Sequence, residues 1–106
     1  MTDYRVAFVT VGSWQEAEKI AESLVSEGLV ACVNLIPGVT SIYRWQGRIE
    51  QDAEVKMVMK TRNERVDALI SRVVELHSYE VCEVTVVPIV AGNPSYLDWI
   101  AENTAD

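Results

Sequence analysis

Two long strand-forming stretches, ending at Trp45 and beginning at Arg48, meet at Gln46-Gly47 with nothing else between them. A two-residue link of this kind is a tight hairpin turn, so the two stretches must pair antiparallel. The first runs from Leu29 through Ile36, is interrupted at Pro37-Gly38, and resumes from Val39 to Trp45. Proline removes a ladder donor and glycine permits an unusual φ, so a bulge or kink is expected there rather than an end to the strand. The second runs from Arg48 to Lys60 and alternates through Ile49, Ala53, Val55, Met57 and Met59. Arms of about a dozen residues at ~3.3 Å each span roughly 40 Å. That exceeds the reach of the first strand, Tyr4 to Val11, so the distal half of the hairpin must overhang.

The rest of the chain supplies the partners. Tyr4 to Val11 is apolar on both faces, with Val6 and Phe8 on one side and Ala7 and Val9 on the other, which predicts a central strand. Ser13 and Glu16 have capping-box spacing and open a helix in which Trp14, Ala17, Ile20, Ala21, Leu24 and Val25 form the apolar face, Glu16 faces water, and Gly28 follows the end. Thr61 and Glu64 repeat the box before a second helix bearing Val66, Leu69, Ile70, Val73 and His77. Ser78 to Glu83 is irregular. Val84 to Val90 predicts a strand buried on both faces, although Pro88 requires an edge or bulge position. Asn93 and Pro94 open a last short helix with Tyr96, Leu97, Trp99 and Ile100. The order β-α-β-β-α-β plus a C-terminal helix predicts an α/β (α+β) ferredoxin-like fold over a single domain, residues 1–106, with both long helices on one face of the sheet.

An overhanging hairpin exposes unpaired backbone groups together with Ile42, Tyr43, Trp45 and Ile49. Pairing with the same element of another copy covers them, and closed symmetry stops further growth. A homo-oligomer is therefore expected, the alternative being a loose surface hairpin.

Composition narrows the function classes. A formal charge of −7 with only nine scattered Lys and Arg residues argues against a nucleic-acid groove. No stretch approaches the ~18 apolar residues of a membrane helix, and the opening Met1-Thr2-Asp3-Tyr4-Arg5 lacks a signal-peptide pattern, so a cytoplasmic protein without membrane association is expected. Two cysteines without a CxxC spacing suggest free thiols.

The segment Ala31-Cys32-Val33-Asn34-Leu35-Ile36-Pro37-Gly38-Val39-Thr40-Ser41-Ile42-Tyr43-Arg44-Trp45-Gln46-Gly47-Arg48-Ile49 resembles the hallmark A-C-V-N-I-I-P-G-x-x-S-x-Y-x-W-x-G-K-I of the CutA family of divalent-cation-tolerance proteins. His77-Ser78-Tyr79-Glu80-Val81-Cys82-Glu83 is similar to the family's H-P-Y-E-x-P-E-x loop, and Pro88 to Trp99 to its P-I-x-x-G-x-x-x-Y-L-x-W ending. The resemblance covers essentially the whole chain. It implies a stable homotrimer joined through the long hairpin in the manner of PII signalling proteins, and a link to tolerance of copper or another divalent cation. Two departures matter: Ser78 and Cys82 stand where the family usually has proline, restoring backbone freedom and N–H groups to the loop.

Candidate sites follow from residue chemistry. His77, the sole histidine, is a candidate metal ligand with Cys32, Cys82, Glu80 or Glu83 as partners. The opposing reading places it structurally at a helix C-terminus. Of the additional His and Cys ligands that copper-binding relatives carry, the matching positions here fall on Leu76 and near Val11. Cys32 reads either as a thiolate or as a small buried hydrophobe, and Cys82 lies between carboxylates that disfavour a thiolate unless a metal stabilises it. Lys60, Tyr79, Glu80 and Glu83 form the best polar set for a small-ligand pocket, with Trp45 and Trp99 as walls between subunits; mutual salt bridges and interface packing are the competing readings. No Ser-His-Asp set, G-x-S-x-G, Walker or dinucleotide fingerprint occurs, so no enzymatic activity and no obligatory cofactor are expected. The composite expectation is a trimeric binding or signalling protein that responds to divalent metal at inter-subunit clefts, the alternatives being a stable trimeric scaffold without a metal and, behind it, an enzyme without a sequence signature that uses paired carboxylates such as Glu80 and Glu83.

Overall fold

A computed structural model describes residues 2–105 of the chain; Met1, part of the opening read as lacking a signal sequence, lies outside the described residues. Its elements are β1 (Tyr4–Val11), α1 (Trp14–Ser26), β2 (Cys32–Trp45), β3 (Arg48–Arg62), α2 (Val66–Leu76), β4 (Val84–Pro88) and α3 (Pro94–Glu102), with one 3-10 turn (Asn63–Arg65) before α2. The strands form one antiparallel sheet in the order β2-β3-β1-β4. With both crossover helices packed on the same face, this is the ferredoxin-like arrangement.

Side-chain alternation divides the sheet. Ala7, Val9 and Val11 of β1 and Val55, Met57 and Met59 of β3 turn toward α1 and α2 and meet Ala17, Ile20, Leu24, Leu69 and Val73 in the core. The opposite face carries Val6, Phe8, Val58 and Val87, and neither long helix covers it. β1 is thus central and apolar on both sides, as its sequence predicts. β4 is different: it ends at Pro88, occupies a sheet edge, and leaves Thr85 and Val87 exposed, which corrects the expectation of a strand buried on both faces. Its apolar character on that face serves an open surface.

The hairpin turns through Gln46 (φ 49°) and Gly47 (φ 80°), the pair of positive values that a two-residue turn matched to strand twist requires. The expected irregularity is a register shift between Ile36 and Val39, where Gly38 has φ 73°. β1 reaches only as far as the Val11–Val55 pair; from Val39–Glu54 to Trp45–Arg48 the two arms pair with each other alone. This overhang is about 20 Å long at ~3.3 Å per residue, and it stretches the molecule to 44 × 25 × 23 Å.

Helix boundaries show where local signals lost. Ser13 caps α1 by accepting the Glu16 N–H at 3.2 Å, but the Glu16 carboxylate reaches Ser78 instead of facing water. Trp14 and Val25, expected on the buried face, are 41% and 43% exposed, because the sheet contacts only the narrower stripe Ala17, Ile20 and Leu24. No box forms at Thr61: its hydroxyl donates to the Leu29 carbonyl at 2.7 Å within the core, Glu64 pairs with Arg62, and the 3-10 turn intervenes before α2. α3 lies beside β2 and β3, held by buried Ile100 and by the Arg62 guanidinium, which donates to Thr104.

Candidate functional site

The root of the overhang meets the irregular loop after α2, and between them lies a groove of ≈ 740 Å³. β2 contributes Ser41, Tyr43, Arg44 and Trp45; β3 contributes Glu54; β1 contributes Thr10; the loop contributes Ser78, Tyr79, Glu80, Val81 and Glu83. The hairpin therefore builds one wall as a consequence of being too long for its own sheet.

Two anchors fix the loop. His77 ends α2, its N–H bonded to the Val73 carbonyl at 2.9 Å, and its ring is buried. Nε2 lies 2.8 Å from the Thr10 carbonyl, so it must be the donor, and Nδ1 accepts the Tyr79 N–H at 3.0 Å. That pair of bonds places a ring proton on Nε2 and puts the Nδ1 lone pair in use, with the Glu16 carboxylate 3.6 Å from Nδ1. The second anchor is Ser78, whose N–H and hydroxyl both donate to Glu16, at 2.9 Å each.

Tyr79 then extends into the groove and donates from its hydroxyl to Glu54 at 2.6 Å. Glu54 is only 8% exposed. Burial, then the Glu54 hydrogen bond, raises the Tyr79 phenol above its ordinary range. The Tyr43 phenol, bonded to Asp52, is pushed up to about 12 chiefly by that bond. Both phenols stay protonated at neutral pH and are committed to carboxylates. Glu83 accepts from Lys56 (2.8 Å), Thr10 (2.8 Å) and Thr85 (2.8 Å). Burial pushes its carboxyl up, but these hydrogen bonds and the Lys56 charge together hold it below the usual carboxylate value.

Of the residues singled out from the sequence, Tyr79, Glu80, Glu83 and Trp45 come together in this groove. Within one chain Lys60 does not: it bonds Asn34 and pairs across from Cys32, while Lys56, four residues earlier on the same face of β3, takes the place beside Glu83. Trp99 stacks on Tyr96 in α3 with centroids 5.7 Å apart and does not line the groove. The three candidate metal ligands are dispersed. Cys32 opens edge strand β2, its Sγ 3.6 Å from the Tyr96 hydroxyl; Cys82 precedes the opposite edge strand and packs against the core; His77 has both ring nitrogens engaged. Among the described residues, no group of three or more His, Cys, Asp or Glu side chains is placed to hold a metal ion. Thr10, Tyr43, Glu54 and Lys56 were missed from the sequence. Their signal lies in strand register, which pairs Thr10 with Lys56 and Val39 with Glu54 and so gathers them at the hairpin root.

Residues 5–103 match the family model described as CutA1 divalent ion tolerance protein. The chain belongs to this family. The CutA divalent-cation tolerance protein of Thermus thermophilus is 48% identical over 99 residues, 93% of this chain and 96% of that protein. The crystal structure of CutA from Xylella fastidiosa superposes with a TM-score of 0.96 at 39% identity, covering 98% of this chain and all of that one. Protein CutA of Mus musculus is 49% identical over 98 residues, but the chain spans only 55% of its length. CutA1 relatives thus share this whole ferredoxin-like framework. Among the described residues no helix is long and apolar enough to cross a membrane.

Proposed function

We propose that this CutA1-family chain is a homotrimer that acts in divalent-cation tolerance, copper being the first candidate, through clefts formed where the hairpin of one copy borders the loop after α2 of another. The observation that carries the reading is the overhang: seven rungs of hairpin beyond the end of β1, with Ile42 66% and Ile49 65% exposed and β2 at an open edge. A lone chain leaves those groups bare, and pairing with neighbouring copies removes the exposed edge. The cation role takes support from the family description and from the acidic groove beside the overhang.

Sedimentation at micromolar concentration should give a particle three times the 11.9 kDa chain, and the Ile42→Lys/Ile49→Lys double variant a smaller one. Calorimetric titration with Cu²⁺ should give a saturable stoichiometric heat. A monomer in sedimentation would end the trimeric reading; weak, nonstoichiometric heats would end the copper reading. One observation favours the metal-free scaffold as a second reading: His77 has no unengaged nitrogen, so a metal at that residue requires breaking a backbone hydrogen bond.

A further inference from the structure

The groove has a chemistry of its own that a bare metal ion does not use. Its volume of ≈ 740 Å³ falls within the range of about 300–1,000 Å³ typical of small-molecule sites. Three aromatic side chains, Tyr43, Trp45 and Tyr79, line it, each about 40% exposed within a single chain, Tyr43 and Trp45 standing on the overhang that the proposed trimer sets against a neighbouring copy. Because both phenol hydroxyls are spent on carboxylates, what these residues offer a ligand is their π-surface. Donation to an anion also leaves a phenol ring more electron-rich. Beside them stand Glu80, which makes no hydrogen bond or ion pair among the described residues, and the buried Glu54 carboxylate.

Aromatic faces and an uncompensated carboxylate around a ligand-sized hollow form the recognition set for an organic cation. A divalent metal would need three or more converging ligands, which the described residues do not bring together. A hydrated ion would also leave the aromatic walls without a role. We infer that the groove binds a small organic ammonium compound, seated against Trp45, Tyr43 and Tyr79 with its charge toward Glu80. This inference rests on the reading of the hairpin–loop groove as the working site. Arg44, the cation in the lining among the described residues, selects against a ligand that is cationic along its whole length, so the fitting class has one ammonium end and an uncharged body.

The test compares benzylammonium with benzyl alcohol, which has the same skeleton without the charge. Binding to the full chain at neutral pH is followed by calorimetry, in the same preparation used for sedimentation. Benzylammonium should bind saturably and benzyl alcohol roughly tenfold more weakly, the span expected when a cation is removed from an aromatic site. Glu80→Gln, at an exposed position without partners to disturb, should weaken benzylammonium about tenfold and leave benzyl alcohol unchanged. Trp45→Ala should weaken both, and Trp99→Ala neither. Equal affinity for the two probes, or no saturation by either, overturns the inference. A trimer that binds Cu²⁺ but not benzylammonium defeats this inference alone, whereas a monomer that binds benzylammonium defeats only the trimeric reading.

Discussion

His77 offers two incompatible roles, and substituting it decides between them. Its side chain is fully buried, with Nε2 donating to the Thr10 carbonyl and Nδ1 accepting the Tyr79 N–H. In His77→Leu both backbone groups lose their partner while apolar volume is kept. An unsatisfied buried polar group costs about 1–3 kcal/mol. Both partners lie in a half-buried environment, so each loss belongs toward the low end, and the sum is about 2–4 kcal/mol. His77→Asn keeps an acceptor near the Nδ1 position, and His77→Gln keeps a donor near Nε2, so each should recover about half of the loss. The assay is urea denaturation followed by tryptophan fluorescence at one fixed chain concentration, since subunit association contributes to apparent stability. Nitrogen NMR on the wild type should show the Nε2-protonated tautomer. A His77→Leu variant within ~0.5 kcal/mol of wild type, below the scale of even one lost buried hydrogen bond, would refute the structural assignment. Loss of a stoichiometric Cu²⁺ heat in the same variant would then make His77 a ligand.

Three other perturbations probe the surroundings. Thr61→Val removes the hydroxyl donor that reaches the Leu29 carbonyl and should cost about 1–3 kcal/mol in denaturation, with Thr61→Ser recovering most of it; equal stability of Val and Thr would mean that water replaces the hydroxyl. Glu83 has a carboxyl pKa below its unfolded value, so its contribution is present above about pH 4.5 and disappears as pH falls through the folded value. The stability gap between wild type and Glu83→Gln should therefore be open at pH 7 and narrow progressively as pH falls below about 4.5, and a constant gap would contradict the assignment. Gly12→Ala would place a methyl group 2.9 Å from the Tyr79 hydroxyl, displacing the ring from Glu54; the Tyr79 phenol should then titrate at lower pH by absorbance, and an unchanged titration would show that the loop yields instead.

The hairpin was the most legible part of the chain because its signals are local. Gln46-Gly47 needs no distant partner to form a turn, and Pro37-Gly38 interrupts the ladder by its own covalent chemistry. The groove was legible only in part. Alternation places Lys56 and Lys60 on the same face of β3, but which of them meets Glu83 depends on how far β3 slides along β1, a tertiary register set by core packing. Thr61-x-x-Glu64 misled for a related reason. A capping hydroxyl competes with any other acceptor in reach, and the Leu29 carbonyl, stranded in the buried turn between α1 and β2, is the acceptor that needs it.

The departure at Ser78 and the incomplete box at Ser13 turn out to be one feature. A capping box would send the Glu16 carboxylate back to the N–H of Ser13, a group that water can satisfy at an exposed helix start. Here that carboxylate instead receives two donors from Ser78, one of them a backbone N–H that proline, the residue the family pattern carries at this position, does not possess. Proline stiffens a loop by restricting the unfolded chain, whereas serine leaves the unfolded chain freer and recovers order only through bonds made in the folded state. The loop that positions Tyr79 is therefore held by an interaction between two elements, α1 and the segment after α2, rather than by its own covalent geometry. Its stiffness then depends on Glu16 as well as on His77, although Glu16 lies on another element and outside the groove lining. Glu16→Ala removes both bonds where Ser78→Ala removes only the hydroxyl's, so amide hydrogen exchange at Tyr79 should speed up more in Glu16→Ala, and equal rates in the two variants would refute the reading. Cys82, the second such position, packs partly buried against the core and makes no comparable bond among the described residues.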